Sequence, residues 1–153
     1  MKLLIVSDSH GSTAFLEKAL QRERSADIIV HCGDGADDLD LFREYTSGKL
    51  VYQNRGNMDF YCRDCTDSCL FPADGVMIFT CHGHKFDVKN GLLNLSFAAK
   101  SKNARVCLFG HTHLQYLNDD GELLFMNPGS VRNGLYATLE IKNGELIPEL
   151  KSI

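Results

Sequence analysis

Long apolar runs and blocks of basic residues are both absent from this 153-residue sequence. No segment approaches the ~18 consecutive apolar residues of a membrane span. The apolar start at residues 2–6 meets polar residues too early for the core of a signal peptide. The net charge is −4, which argues against a nucleic-acid binder that works by neutralising many phosphates. We therefore expect a cytoplasmic protein with no membrane partner and no stable nucleic-acid partner.

Repeats, low-complexity tracts and linkers are also missing. With 44% hydrophobic and 24% charged residues, the composition is that of an ordinary globular protein. A chain of this length can bury a large fraction of its surface without disulfides. We expect a single domain over residues 1–153.

The six cysteines fall into two groups. Cys32, Cys81 and Cys107 lie in or just after apolar runs, where a reduced cysteine behaves as a small hydrophobic residue. The spacing Cys62-x-x-Cys65-x-x-x-Cys69 is predicted to give reduced loop cysteines. The alternative is a structural zinc site with a fourth ligand such as Cys81 or an aspartate.

Strand and helix patterns alternate in the first part of the chain. Strands are predicted over residues 2–6, 27–31 and 50–53. One helix is predicted from Ser12 or Thr13 to about residue 24. A second helix is predicted over residues 37–45, with Leu39, Phe42 and Leu41 facing inward. This order is typical of a parallel sheet covered by helices.

The pattern of predicted strands and helices is different in the rest of the chain. We expect a loop over residues 54–75, strands over 76–80 and 105–109, and a helix over 91–102. Four further strand-like runs follow, at residues 114–117, 123–126, 136–141 and 145–150. Turn signals at residues 118–121 and 143–144 predict that these runs form antiparallel hairpins.

Each of five successive predicted strands is followed by acidic, amide or imidazole side chains beside a glycine. These side chains are Asp8 and His10, Asp34, Asn57 and Asp59, His82, and His111 and His113. Each motif alone is more typical of an ordinary turn. In open α/β sheets, however, the ligand crevice lies beyond the carboxyl ends of the strands, so the five loops are expected to meet.

Seven of these residues form a candidate metal-ligand set: Asp8, His10, Asp34, Asn57, His82, His111 and His113. Two carboxylates, one amide oxygen and four imidazoles are too many for one tetrahedral ion and suit two ions that share a carboxylate. Such mixed ligands accept Mn, Fe, Co, Ni or Zn without selecting sharply among them. Two ions about 3.5–4 Å apart can hold a bridging hydroxide and clamp a phosphoryl group.

Other phosphoryl-transfer signatures are missing. No cysteine is followed six residues later by the arginine of a cysteine phosphatase. His10 stands where an aspartyl-phosphate enzyme would have a second aspartate, and no Gly-x-x-x-x-Gly-Lys loop is present.

The motifs as a set resemble those of the calcineurin-like metallophosphoesterases. They are Asp8-x-His10, Gly33-Asp34, Gly56-Asn57-x-Asp59, Cys81-His82-Gly83-His84, Gly110-His111-x-His113 and Asn127-Pro128-Gly129-Ser130. The resemblance spans residues 2 to about 141 and is closest to the compact bacterial and archaeal phosphodiesterases of the YfcE and MJ0936 type. It implies a mixed α/β (α+β) fold in which a two-sheet β-sandwich is flanked by helices.

The resemblance also implies a role for each ligand. Asp8, His10 and His113 would hold a first divalent ion, Asn57, His82 and His111 would complete a second, and Asp34 would bridge the two. Manganese is the expected metal, with nickel, cobalt, iron or zinc as alternatives. Asn127-Pro128-Gly129-Ser130 would form a structural turn close to this site.

Asp59 and His10 are the candidate catalytic residues. Asp59 would orient a ligand or a histidine. Larger family members place a histidine at the position of Met58, where it assists the leaving group. His10, His84 or a metal-bound water is expected to take that role, or the substrates to carry good leaving groups.

The expected function is metal-dependent phosphodiester hydrolysis on a small-molecule phosphate ester or a nucleotide. A phosphomonoesterase or nucleotide hydrolase on the same site is one alternative. A Vps29-like protein-interaction scaffold with a weakened metal site is another, and the complete set of ligands favours the enzyme. The substrate, the native metal and the oligomeric state, a homo-oligomer included, are left open by the sequence.

Overall fold

Ten strands form two five-stranded sheets in the computed structural model, which describes residues 1–153. The strands are β1 (Lys2–Val6), β2 (Ile28–His31), β3 (Leu50–Gln53), β4 (Ser68–Ala73), β5 (Val76–Cys81), β6 (Val106–Leu108), β7 (Gln115–Asp119), β8 (Leu124–Pro128), β9 (Leu135–Lys142) and β10 (Glu145–Ser152). The first sheet has the order β10-β9-β1-β2-β3 and the second the order β4-β5-β6-β8-β7.

Three α-helices and three short 3₁₀ helices connect these strands. The α-helices are α1 (Ala14–Arg22), α2 (Arg43–Thr46) and α3 (Leu93–Lys100), and the 3₁₀ helices are Ala36–Phe42, His84–Phe86 and Val131–Asn133. No helix has the length and apolar character that a membrane crossing requires.

The inner faces of the two sheets share one apolar core, to which Leu3 and Ile5 contribute from the first sheet and Ile78 from the second. On the outer face of the first sheet, Leu4 packs in a second cluster with Leu16 of α1. Because β1 is buried on both faces from Leu3 to Val6, its sequence is continuously apolar over these residues, as predicted. Helix α3 and its neighbouring loops cover the outer face of the second sheet in the same way.

The two-sheet sandwich expected from the sequence is confirmed. Strands β1, β2 and β3 are parallel, in agreement with the βαβαβ pattern. Both predicted hairpins form, since β7 pairs antiparallel with β8 and β9 with β10. Strand β9 also pairs antiparallel with β1, which brings the C-terminal part of the chain into the first sheet.

The helix predicted over residues 37–45 is instead mostly a 3₁₀ helix, followed by the single turn of α2. Its buried residues, Ala36 and Leu39, are three positions apart, which matches the three residues per turn of a 3₁₀ helix. Leu41, expected to face inward, is 71% exposed. The carboxylate of Asp38 accepts hydrogen bonds from Ser9 Oγ and Gly11 N, which anchor the segment at its start.

The loop predicted over residues 54–75 was wrong in its second half, where the chain forms β4. This strand lies at the edge of the second sheet and pairs antiparallel with β5. Phe71 and Ala73 are buried and alternate with exposed residues, one of them Pro72, which an edge strand tolerates. The missed signal was Asp74-Gly75, a two-residue hairpin turn in which both residues have positive φ.

The cysteine prediction also needs correction. Cys62 and Cys65 form a disulfide rather than standing reduced, because a tight turn brings their Cα atoms to 5.5 Å. Cys69 remains free and lies in β4 with its Sγ 2.9 Å from Thr66 Oγ1, so the trio does not gather as zinc ligands. The three remaining cysteines, Cys32, Cys81 and Cys107, are free and buried, as expected.

Candidate metal centre

The seven predicted ligand residues meet at one edge of the sandwich, beyond the carboxyl ends of five strands. The donors come from the ends of β1 (Asp8, His10), β2 (Asp34), β3 (Asn57), β5 (His82) and β6 (His111, His113). Neighbouring loops are joined by backbone hydrogen bonds, such as Gly110 N to the His82 carbonyl at 3.0 Å. The strand order therefore places both sheets' polar loops around one centre.

The backbone of this centre is strained. Left-handed φ values occur at Asp8 (56°), His10 (47°), Asp34 (58°), His111 (69°) and His113 (62°). For residues other than glycine this conformation costs roughly 1–2 kcal/mol each, and it persists where the surrounding structure holds the chain in place. Such residues concentrate at functional sites.

Asp8, His10 and His113 form the first group of donors. Their ligand atoms all lie within 4.8 Å of one another. Asp8 Oδ1 is 3.1 Å from His113 Nε2 and 3.8 Å from His10 Nε2, and the two imidazole nitrogens are 3.4 Å apart. One carboxylate and two imidazoles thus face a common point.

Asp34, His82 and His111 form the second group, again with ligand atoms within 4.8 Å of one another. His82 Nε2 is 3.4 Å from Asp34 Oδ2 and 3.2 Å from His111 Nδ1. Asn57 Oδ1 lies 3.2 Å from the same His82 nitrogen and adds an amide oxygen to this group.

Asp34 lies between the two groups. Its Oδ2 is 3.4 Å from His82 Nε2 in the second group and 3.8 Å from His10 Nε2 in the first. Its other oxygen, Oδ1, accepts a hydrogen bond of 2.7 Å from the backbone N–H of Met58. This bond fixes the carboxylate so that Oδ2 faces both groups.

A buried oxygen without a partner tests whether the donors fit a metal. Asp8 Oδ1 has no hydrogen-bond partner, whereas Asp8 Oδ2 accepts bonds from Ser7 Oγ at 2.6 Å and His111 N at 3.1 Å. A buried carboxylate oxygen left without a donor is unfavourable, and a cation between it and the facing imidazoles would satisfy it. The donor set, oxygen and nitrogen without thiolate, fits a divalent ion.

Hydrogen bonds behind the ligands fix their orientation. His82 Nδ1 lies 2.8 Å from the Cys32 carbonyl, which can only accept, so Nδ1 carries the proton and Nε2 is free toward the centre. The Asp59 carboxylate accepts bonds from the backbone N–H groups of Asp34 (2.8 Å), Gly35 (2.6 Å) and Gly56 (2.8 Å). Asp59 therefore holds the loop that carries Asp34 against the loop that carries Asn57.

The electrostatics favour the protonation states that ligands need at Asp34 and His111, but not at Asp8 and His82, whose pKa values are raised. Burial alone would raise the pKa of Asp34, but the hydrogen bond and charge of His82 outweigh it and lower the pKa to about 2. Burial and the nearby charge of His82 lower the pKa of His111 to about 4. Burial raises the pKa of Asp8 despite the opposing charge of His82. An ionised Asp34 and a neutral His111 are the forms that bind metal.

Two glycines allow the loops to approach this closely. A Cβ at Gly56 would collide with the carboxylate of Asp34, and one at Gly110 would collide with the hydroxyl of Ser7. Since both neighbours are buried and hydrogen-bonded, neither can move aside without disturbing a ligand.

The contacts of two supporting residues, His31 and Ser130, were not predicted from the sequence. His31 is fully buried, with Nε2 3.1 Å from Ser9 Oγ and Nδ1 accepting from Gly33 N, and burial lowers its pKa to about 4. Ser130 Oγ donates to the Asp8 carbonyl at 2.7 Å across 122 positions of sequence. The Asn127–Ser130 segment was expected near the site, but the individual contacts of these residues carry no local sequence signal.

The sequence matches a known protein family and two of its relatives. Residues 1–144 match the model of the calcineurin-like phosphoesterase superfamily domain. The chain is 33% identical to the probable metallophosphoesterase YsnB of Bacillus subtilis over 150 residues, which covers 94% of this chain and 86% of YsnB. It is 30% identical over 158 residues to the phosphodiesterase YfcE of Escherichia coli K12, covering 86% and 79% of the two chains.

Two solved structures have the same fold as this protein. A predicted phosphoesterase from Streptococcus pneumoniae superposes with a TM-score of 0.80 at 30% identity, covering 99% of this chain and 88% of that one. Vps29 of Entamoeba histolytica in complex with zinc superposes with a TM-score of 0.77 at 20% identity, covering 99% of both chains, a likeness of fold alone. Since the family model spans nearly the whole chain and both curated relatives carry phosphoesterase names, this protein belongs to the calcineurin-like phosphoesterase superfamily and is a metal-dependent phosphoesterase of the compact YfcE type.

Proposed function

We propose that this protein is a phosphodiesterase that works with two divalent metal ions. Asp8, His10 and His113 would hold the first ion, and Asn57, His82 and His111 the second. Asp34 would be shared by both. The observation that carries the proposal is the position of Asp34 Oδ2, which lies within 3.8 Å of a nitrogen from each donor group.

When bound, such a pair of ions supplies a hydroxide nucleophile at neutral pH and positive charge for the phosphoryl oxygens. Manganese is the proposed metal, with nickel, cobalt, iron or zinc as alternatives, because carboxylate, amide and imidazole donors without thiolate admit all of them. The chain's contribution is to fix these donors before substrate arrives. Asp59 does so through the backbone of Asp34, and is therefore a positioning residue in this proposal.

His10 serves this centre better as a ligand than as a proton donor. Its Nε2 lies 3.8 Å from both Asp8 Oδ1 and Asp34 Oδ2, so a metal there would occupy the nitrogen that faces the reaction. Met58, which is 56% exposed, has no proton to give. We therefore propose that the leaving group departs with a solvent proton and that good leaving groups react fastest.

A polar cleft of about 470 Å³ beside His10 supports diesters over nucleotide polyphosphates. It is lined by His10, Gly11, Gly35, Asp37, Asp38, Met58 and Asp59. Its acidic side chains disfavour additional phosphates, whereas a diester has a single negative charge on the reacting group. The net charge of −4 likewise supports a small-molecule substrate rather than a nucleic acid.

Metal loading followed by an assay tests this proposal. Protein stripped with a chelator and reloaded with Mn²⁺ should bind two ions per chain by calorimetry and hydrolyse bis(p-nitrophenyl) phosphate. The Asp34→Asn variant should remain folded and lose turnover. The absence of both metal binding and turnover with every divalent ion tried would overturn the proposal.

Two alternatives use the same scaffold. A phosphomonoesterase or nucleotide hydrolase would act at the same ligands, and a panel of monoesters, nucleotides and diesters assayed in parallel would show it as a preference for the former two. A Vps29-like interaction scaffold is disfavoured because all seven ligand positions are filled and brought together.

A further inference from the structure

A second cavity, of about 240 Å³, opens beside the metal centre on the side of the second sheet. It is lined by Val88, Leu92, Phe109, Thr112, Leu114, Gln115 and Tyr116. No residue of the proposed ligand set lines it, and five of its seven lining residues are hydrophobic. It therefore differs in character from the acidic cleft beside His10.

Its walls are continuous with the loops that carry ligands. Thr112 stands between His111 and His113, so the wall and these two candidate ligands share one loop. Phe109, only 2% exposed, directly follows β6 at the start of this loop. Val88 packs closely on Gly83, the residue after His82. A Cβ added at Gly83 would lie only 2.9 Å from Val88 Cγ2. The cavity thus lies at the edge of the sandwich where the reaction would occur.

Two polar side chains of the cavity already have hydrogen-bond partners. Gln115 Nε2 donates to the Tyr136 and Lys151 carbonyls at 3.2 and 2.9 Å. Thr112 Oγ1 accepts from Asn127 Nδ2 at 3.1 Å. A ligand in this cavity would therefore be selected mainly by shape and apolar character, since five of the seven lining residues are hydrophobic.

The apolar surface is suited to a ring. The Tyr116 ring, which is 40% exposed, packs against the buried Phe109 ring with their centroids 6.2 Å apart and a tilt of 59°, so Tyr116 is the aromatic surface that a guest can contact. Leu114 is 71% exposed, an unfavourable placement for a leucine that a guest would cover. Cavities of about 150 Å³ lined by Leu, Ile and Phe admit benzene, so this one holds one aromatic ring.

We propose that this cavity binds an aromatic or short alkyl arm of the phosphate ester. The inference rests on the proposed function, since the phosphoryl group must lie at the metal centre for one arm to enter the cavity. Substrates with one apolar arm are then preferred over those with two polar arms.

Phenylphosphonate and methylphosphonate isolate this effect, because they share the metal-binding head and differ only in the apolar group. Calorimetric titration of the Mn²⁺-loaded protein should give a Kd for phenylphosphonate roughly tenfold below that for methylphosphonate. Leu114→Asn should reduce this ratio to near one and leave the methylphosphonate Kd unchanged. Leu93→Asn is the matched control, since Leu93 is 68% exposed but does not line the cavity.

The outcomes separate the two proposals. If neither phosphonate binds with any divalent ion, the proposed function fails. If methylphosphonate binds and the phenyl group adds nothing, or if Leu114→Asn leaves the ratio intact, only the cavity inference is overturned. A lower molar mass of Leu114→Asn in light scattering, with unchanged Kd values, would mean that a second copy of the chain covers the cavity and would also overturn it.

Discussion

The carboxylate of Asp59 accepts a hydrogen bond of 2.8 Å from the backbone N–H of Asp34, the residue that lies between the two donor groups. The same carboxylate binds the N–H groups of Gly35 and Gly56. A single side chain outside the metal-ligand set therefore fixes two of the loops that supply ligands. Its effect on any metal would be exerted through the backbone, without direct contact.

Asp59→Ala should weaken Mn²⁺ binding by roughly 10- to 100-fold, the usual effect of removing a residue that orients a metal ligand. The backbone N–H groups of Asp34 and Gly56 would lose their buried acceptor, so the two loops would separate. Titration calorimetry with Mn²⁺ measures the affinity, and Asp64→Ala in the loop near Asp59 is the control. An unchanged affinity in Asp59→Ala would contradict the positioning role.

His111→Ala and His113→Ala should each remove a different ion. His113 Nε2 lies with Asp8 in the first donor group, whereas His111 Nδ1 lies with His82 in the second. Metal analysis should find about one ion per chain in each variant, and a spectroscopic probe such as Co²⁺ should show two different sites. Identical spectra for the two singly loaded variants would refute the assignment.

Stability of the metal-free protein should fall as the pH drops from about 6.5 to about 4. His31 has a folded-state pKa of about 4 against 6.5 in the unfolded chain, so the unfolded state binds its proton first as the pH falls. The contribution of His31 to the free energy of unfolding is therefore complete above pH 6.5. It is lost toward pH 4, by up to about 1.4 kcal/mol per pH unit. Urea unfolding in the presence of a chelator measures the slope.

His31→Gln is the variant that isolates this group from other titrations. Asp8 and His82 have raised pKa values and contribute pH dependence of their own, which both proteins share. Between pH 4 and 6.5 the unfolding free energy of the variant should therefore depend less steeply on pH. The difference in slope should correspond to the uptake of about one proton fewer on unfolding. Parallel slopes in the two proteins would contradict a neutral, buried His31.

Met58→His should raise turnover on diesters with poor leaving groups. The backbone N–H of Met58 holds Asp34 Oδ1 whatever the side chain is, and the exposed side chain borders the cleft beside His10. A histidine there would supply a proton to the departing oxygen, a contribution of about 100-fold or more when the group is well positioned. The ratio of rates for an alkyl and a p-nitrophenyl leaving group is the readout, with Met58→Gln as control. A ratio equal in all three proteins would exclude this position from proton donation.

Buried strands and their polar ends were predictable from sequence because both leave local signals. Strand β1 is continuously apolar from Leu3 to Val6 since both faces are covered there, and Asp8 and His10 follow within four residues of its end. The edge strand β4 left a weaker signal, because only Phe71 and Ala73 face the core. Asp59 was expected to orient a ligand, but that it does so through three backbone N–H groups depends on loop packing that no local pattern encodes.

The winding of the Ala36–Phe42 segment illustrates the same limit. Leu39 and Phe42 are compatible with either a 3₁₀ or an α-helix over so short a stretch. The contact of Asp38 with Ser9 and Gly11, 27 or more positions away, joins the segment to the loop after β1. Tertiary contact therefore fixes this segment, and its sequence alone does not.

Arg55, rather than the neighbouring disulfide, should be the main support of the loop that carries Asn57. Its Nη2 donates to the carbonyls of Cys62 and Cys65 at 2.9 and 3.1 Å, and its backbone N–H donates to the Thr66 carbonyl at 2.7 Å. Charged hydrogen bonds of this kind contribute about 1.5–3 kcal/mol each. The disulfide closes a loop of only a few residues and therefore removes little entropy from the unfolded chain, about 2 kcal/mol or less.

Arg55→Ala should accordingly weaken Mn²⁺ binding at the second site by tenfold or more, because Asn57 lies two residues away on the released loop. The double variant Cys62→Ser, Cys65→Ser keeps the backbone carbonyls that Arg55 binds, so its Mn²⁺ affinity should stay within about twofold of the parent. Calorimetric titrations of the two variants, and of the parent with and without a reductant, give the comparison. If reduction lowered the Mn²⁺ affinity strongly while Arg55→Ala kept the affinity of the parent, the disulfide and not Arg55 would be the main support of the loop.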